Sequence, residues 1–194
     1  MGDHFQTIVD LDARPEEARG LADRVVAWLV AEGIVLADRT DCVLGHPLGH
    51  PPGPNWRRAV SGQDADWEPW DGLAVYTQRT VFFGGQGEPT AVTCPRCRAA
   101  TRLLTDEWEL IDAIWTPFDQ AMILWHRTGE VTPVTCPACA HEVPLTDWSW
   151  EDDFYALGHL GLEFWNWPEF SDSFRSRISE ILGGHRTALV WGKL

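Results

Sequence analysis

The sequence predicts an α+β fold in which both ends of the chain build one sheet and the middle forms an inserted module. Three observations carry that prediction. Each end reads as strand, helix, strand; the middle holds two look-alike cysteine runs; and the composition, 44% hydrophobic and 23% charged, is that of a globular rather than a disordered chain. A length of 194 residues suits one domain with an insertion, not two full-sized domains.

At the N-terminus Phe5, Thr7 and Val9 alternate with Gln6, Ile8 and Asp10, the period of a strand. Pro15-Glu16-Glu17 then opens a helix, since proline fits a first turn and acids there complement the macrodipole. Leu21, Val25, Trp28 and Leu29 share one face of it, Gly33 ends it, and Ile34-Val35-Leu36 reads as the next strand. The C-terminal end repeats the order. Leu160–Trp165 is a strand, Asn166-Trp167-Pro168 a break, and Ser171 the N-cap of a helix carrying Phe174, Ile178, Ile181 and Leu182 on one face. Gly183-Gly184 stops that helix before a last strand, Thr187–Trp191. Two β-α-β units in one sheet make a ferredoxin-like βαβ…βαβ arrangement, with everything else inserted at the central β-β connection. On this reading residues 1–72 and 155–194 form the main domain and 73–154 the insertion.

Residues 45–54, GHPLGHPPGP, cannot continue a helix or a central strand and form a loop. Gly72 to Phe83 has the β-branched and aromatic content of one long strand or a hairpin. Between the cysteine runs, Trp108, Ile111, Trp115, Phe118, Met122 and Trp125 recur at three- and four-residue steps, a helical stripe that Thr116-Pro117 splits into two short helices. Such a stripe is core more often than a stacking surface for a cofactor.

The strongest signal is an internal repeat. Thr90-Ala91-Val92-Thr93-Cys94-Pro95-Arg96-Cys97 is echoed by Thr132-Pro133-Val134-Thr135-Cys136-Pro137-Ala138-Cys139, and Leu104-Thr105-Asp106 by Leu145-Thr146-Asp147. Two residues between cysteines let one tight turn aim both sulfurs at a point, with backbone N–H groups near the thiolates. Residues 88–148 thus resemble the paired zinc knuckles of zinc-ribbon proteins. The resemblance implies that Cys94, Cys97, Cys136 and Cys139 close a tetrahedral shell around one structural Zn2+ ion, with no open position for substrate. The stretch between the pairs, 98–135, exceeds the about 15–20 residues of a compact ribbon, and the helical stripe occupies it. Cys-Pro-x-Cys also serves thiol–disulfide exchange, where the first cysteine starts a helix. Here Pro144 interferes with such a helix. Iron is the leading alternative metal, because rubredoxin-type sites also pair cysteine knuckles.

A net charge of −14 and a single lysine, Lys193, make nucleic acids and anionic membranes poor partners and a basic protein a better one, or serve solubility alone. Arg96, Arg98 and Arg102 are the one basic cluster, either a phosphate contact or an offset to the tetrathiolate charge. Residues 131–170 carry seven acids and no lysine or arginine. Within them the runs Trp148-Ser149-Trp150 and Phe164-Trp165-Asn166-Trp167 suit either a partner-binding surface or the packing between insertion and main domain. Cys42 with His46 and His50 is a second metal candidate, although Pro47 and Pro51 forbid the helix that would align them; a free cysteine beside a surface loop is the alternative.

No phosphate-binding, dinucleotide, HExxH or GxSxG motif is present. His126, His159 and His185 are scattered, and Asp152-Asp153 reads as a solvated pair. The N-terminus lacks the charged and apolar parts of a signal peptide, and paired cysteines suit a reducing compartment, so a cytoplasmic protein is expected. These features favour a zinc-stabilised, non-enzymatic interaction or regulatory protein, in its most concrete version an inhibitor or immunity-type binder of a basic toxin or nuclease. The alternatives are a nucleic-acid- or transcription-associated zinc ribbon and an enzyme with an unidentified pocket.

Overall fold

The computed structural model describes residues 2–62 and 67–194; residues 1 and 63–66, which the sequence reading assigns to the main domain, lie outside the described residues. In chain order the elements are β1 (His4–Asp10), α1 (Pro15–Ala31), β2 (Leu73–Tyr76), β3 (Thr80–Phe83), β4 (Ala91–Thr93), β5 (Ala100–Arg102), α2 (Asp112–Thr128), β6 (Pro133–Thr135), β7 (Glu142–Pro144), β8 (Ser149–Trp150), β9 (Tyr155–Gly158), β10 (Leu160–Trp165), α3 (Asp172–Ile181) and β11 (Thr187–Lys193), with short 3-10 turns between some of them. The protein is mixed α+β with antiparallel sheets.

The two ends of the chain form a four-stranded sheet in the order β11-β1-β10-β2. The central strand β1 pairs with β10 from Phe5 opposite Trp165 to Asp10 opposite Leu160, and with β11 from His4 opposite Lys193 to Asp10 opposite Thr187. Alternation along β1 sends Ile8 to one face and Val9 to the other. Ile8, Leu160, Leu162 and Phe164 join Leu21, Val25 and Leu29 of α1 and Phe174 and Ile178 of α3 in the main core. The opposite face is covered too. Val9, Ala188 and Val190 meet Phe82 and Ala156 of the β3–β9 ribbon, and Phe5, Ala74 and Trp165 meet Val43 from the preceding loop. Gly161 is where the Phe82 ring approaches the sheet so closely that a Cβ would collide with it.

Three local expectations change. Ile34 to Leu36 is not a strand of the sheet: the Ile34 N–H bonds to the Leu29 carbonyl, folding the segment back on the end of α1, and it pairs instead with the 51–53 loop through Leu36 N–H to Pro51 O (2.8 Å) and Gly53 N–H to Ile34 O (2.7 Å). Pro52 has no N–H with which to extend that pairing. The sheet strand that follows α1 is therefore β2. Gly72 to Phe83 is neither one strand nor a hairpin: β2 lies on β10, while β3 pairs with β9. The ladder of Tyr76 with Gly161 and that of Thr80 with Gly158 leave three residues on one side and two on the other unpaired with each other, a break between sheet and ribbon. Finally, α2 is continuous across Pro117.

The middle of the chain has its own core. Val92, Leu103, Phe118, Met122, Trp125, Val134, Val143, Leu145, Trp148 and Trp150 pack with Cys94, Cys136 and Leu157. The sheet β5-β4-β8 and the hairpin β6–β7 flank it, and α2 buries Phe118, Ala121, Met122 and Trp125 against it.

Candidate metal centre

Each cysteine run folds as a hairpin with the same hydrogen bonds. In the first, β4 leads to Cys94, the Cys94 N–H bonds to Ala99 O (3.0 Å), the Arg98 N–H bonds to Cys94 O (3.0 Å), and β5 returns. In the second, β6 leads to Cys136, whose N–H bonds to His141 O (2.9 Å) while the Ala140 N–H bonds to Cys136 O (2.8 Å), and β7 returns. Both turns place the residue after the second cysteine in the left-handed region, Arg98 at φ 62° and Ala140 at φ 57°. The equivalence continues outward: the Leu103 N–H bonds to Thr90 O and the Leu145 N–H to Thr132 O. The structural counterpart of Leu145 is thus Leu103, one residue before the Leu104 that the sequence echo pairs with it.

The two turns bring the sulfurs of Cys94, Cys97, Cys136 and Cys139 within 4.8 Å of one another. Cys97 Sγ and Cys136 Sγ are 3.8 Å apart, and no cysteine is in a disulfide. A tetrahedron with metal–sulfur bonds of about 2.3 Å has sulfur–sulfur edges of about 3.8 Å. The four cysteines can therefore hold a metal ion, and the set is compatible with structural zinc in a zinc-knuckle-like module. Cys94 and Cys136 are buried in the module core, Cys139 is half-buried and Cys97 is exposed. Without a metal, burial pushes the Cys136 thiol up, yet the N–H groups of Cys139 and Ala138 and the neighbouring thiols bring it down to about 7. At Cys97 the Ala99 N–H pulls downward, and desolvation with hydrogen bonds from the other three thiols pushes it up to about 11. Neither turn runs into a helix, since β5 and β7 follow, and this removes the helix N-terminus that a redox Cys-Pro-x-Cys uses.

The other candidates go elsewhere. His46 Nε2 is 2.6 Å from the Tyr76 hydroxyl and His50 Nδ1 3.0 Å from Leu36 O, so they turn to different partners. Among the described residues, the only cluster of metal-ligating groups is the four-cysteine one. Trp148, Trp150, Trp165 and Trp167 are buried, so neither run is a partner-binding surface; they do not pack as one seam between insertion and main domain but separately, Trp148 and Trp150 in the module core, Trp167 in the main core and Trp165 on the other face of the terminal sheet. Of the basic cluster, Arg96 and Arg98 are exposed, and Arg102 pairs with Asp106 at 2.7 Å. His126 lines a surface cleft with Tyr155 and Met122, and the His159 pKa is lowered by burial and by Arg79.

Two polar clusters carry no sequence signal, because their members are far apart in the chain. Glu163, on the face of β10 away from the helices, is buried and accepts bonds from Tyr76 Oη (3.0 Å), Trp165 Nε1 (2.8 Å) and Thr7 Oγ1 (3.3 Å). Burial first, then the Glu163 charge, pushes the Tyr76 phenol well above its ordinary range. With His46 on Tyr76, this network ties the 42–50 loop to the sheet. The second cluster is Asp10 and His185, whose Nδ1 lies 2.9 Å from Asp10 Oδ2. Asp10 also accepts the N–H groups of Asp12 and Ala13. Ser179 Oγ donates to the main-chain carbonyl of His185, not to its imidazole, so the three do not form a nucleophile relay.

No family model, curated protein or solved structure matches the chain. No helix among the described residues is long and apolar enough to cross a membrane.

Proposed function

We propose that the chain is a non-enzymatic interaction or regulatory protein whose inserted module is held in shape by one structural zinc ion on Cys94, Cys97, Cys136 and Cys139, and whose acidic surface receives a basic protein. An inhibitor or immunity-type binder is the most concrete form of this reading. The observation that carries it is the closed four-sulfur cluster set into the module core. Four thiolates fill a tetrahedral shell and leave no position for water or substrate, which suits structure and not catalysis. Cys94 and Cys136 are each 0% exposed, so an ion there would crosslink two hairpins that lie in different sheets and pack into one core.

The preference for a basic partner rests on the charge of −14. Two further parts belong to the same reading. The terminal sheet is taken as ferredoxin-like, supported by the order β11-β1-β10-β2 and by α1 and α3 sharing one core. The module is taken to begin after Tyr76, since β2 lies in the terminal sheet.

Metal analysis of protein purified without added zinc tests the first part. About one zinc per chain is expected, and Cys94→Ser or Cys136→Ser should lose it and lower the melting temperature steeply. Metal-free protein that melts at the same temperature as metal-loaded protein would sink the structural role.

A further inference from the structure

A cleft of about 640 Å³ opens where the module meets the terminal sheet. The side chains of Trp67 and Trp191 line it, together with the buried Trp167–Pro168 segment, Asp152 and Asp153 from the module and Glu169 from the loop before α3. The aromatic wall is held in place. The His4 ring packs on Trp67 and Trp191 with centroids 5.5 and 6.1 Å apart, and its Nε2 lies 3.0 Å from the Trp167 carbonyl. Buried Gln6 donates to the carbonyls of Trp167 and Pro168. On the module side, Asp153 Oδ2 accepts the Leu189 N–H at 2.8 Å, fixing the acidic rim to β11.

The chemistry of this cleft is that of a cation site with apolar walls. Among the described residues, no ion pair engages Asp152, Asp153 or Glu169, and the cleft's own cation, Arg175, is shared with Asp172 at 3.7 Å. Three carboxylates against one arginine repel a phosphate or carboxylate ligand. Indole faces attract a cation through their quadrupole, and a planar guanidinium can stack on an indole while its N–H groups meet a carboxylate. Although β11 is a sheet edge, the Leu189 N–H is already taken by Asp153, so an extended peptide cannot add there as a strand in the usual way. Recognition falls to a side chain.

We propose that this cleft docks a basic protein and seats one of its arginine side chains, the guanidinium stacking on the exposed indole of Trp191 or on Trp67 while Asp152, Asp153 and Glu169 balance its charge. The proposal rests on the interaction-protein reading above and gives it a place on the molecule. The site is assembled from both parts of the chain, so it exists only while the module keeps its shape.

Isothermal titration of the full zinc-loaded chain with a blocked peptide of alternating glycine and arginine tests it, with lysine and glutamate peptides of the same length alongside. The arginine peptide should bind at low salt, the lysine peptide more weakly, and the glutamate peptide not at all. Trp191→Ala should weaken binding about 3- to 30-fold, and Asp152→Asn should weaken it about 2- to 5-fold and flatten its salt dependence. Both positions are exposed, so thermal unfolding should be near that of the parent. Trp108→Ala, at a tryptophan 74% exposed and outside the cleft, should bind as the parent does. Arginine binding that survives Trp191→Ala and Asp152→Asn unchanged would overturn the cleft while leaving the basic-partner reading intact. No binding of arginine or lysine peptide at low salt would overturn both, and equal binding of the two would overturn the guanidinium assignment.

Discussion

Arg98 and Ala140 each occupy a conformation, φ near 60°, in which a side chain crowds the next carbonyl at a cost of about 1–2 kcal/mol. The turns need it, because only a left-handed residue after the second cysteine brings the chain back as β5 or β7 in the same plane. Glycine is the usual solution, and its absence at both positions is why the paired turn geometry has no sequence mark there although the ligand spacing is plain. Ala140→Gly should therefore stabilise the metal-loaded protein by up to about 1 kcal/mol, read as a higher melting temperature; a lower one would mean that the Ala140 methyl packs usefully. The thiols define a second residue-level expectation. Metal ligands must be thiolates, and without metal the Cys136 thiol is brought down to about 7 while that of Cys97 is pushed up to about 11. Binding therefore releases protons near neutral pH, so acidification favours the protonated, metal-free cluster. Zinc affinity, followed with a chromophoric chelator, should fall steadily between pH 8 and pH 6; affinity flat with pH would show that the thiols are already ionised.

The helix α2 shows how an element outlasts a local breaker. Pro117 lacks the N–H that would bond the Ala113 carbonyl, a loss of about 3 kcal/mol in a helix interior, which is why the sequence predicts a split at Thr116-Pro117 despite the unbroken periodicity of the stripe. Phe118, Met122 and Trp125 are buried on one side of α2, each contributing about 1.5–3 kcal/mol, which outweighs it. Pro117→Ala should raise stability by about 1–3 kcal/mol in urea unfolding; no gain would mean that the first turn and a half of α2 is frayed already. The signals at α3 were local and survive intact: Ser171 Oγ accepts the Phe174 N–H at 3.2 Å, and Gly183 and Gly184 take φ of 90° and 80°. The strand after α1 was not local. Ile34 and Val35 have strand composition, but the proline loop at 51–53 competes for them, and β2 wins the sheet edge from nearly forty residues further on. Tyr76 on β2 then links His46 to Glu163. Tyr76→Phe strands a buried carboxylate acceptor and should cost about 1–3 kcal/mol, checked by denaturant midpoint; a neutral change would mean that Trp165 and Thr7 satisfy Glu163 alone.

At the scale of the whole molecule, two cores meet through the β3–β9 ribbon, whose Leu157 packs in one while Phe82 and Ala156 pack on the terminal sheet. The main core draws on α1, α3 and the terminal sheet, and the module core on α2 and the two cysteine hairpins. Removing zinc should therefore loosen one before the other. After chelation at neutral pH, amides of α2 and of residues 91–150 should lose hydrogen-exchange protection, while those of β1, β10 and β11 keep theirs; uniform loss would show that the two cores unfold as one. What the sequence by itself determined is whatever a short window encodes: the first turn of α1, the caps of α3, the strands β1 and β10, the cysteine spacing and the net negative charge. Tertiary structure alone decided the rest. Which strand follows α1, whether Pro117 breaks a helix, that the paired tryptophans are core while Trp191 is exposed, and that Glu163 meets Tyr76 and Asp10 meets His185 all depend on competition between distant segments for the same buried space. No window of neighbouring residues contains that competition, because burial energy belongs to contacts and not to positions.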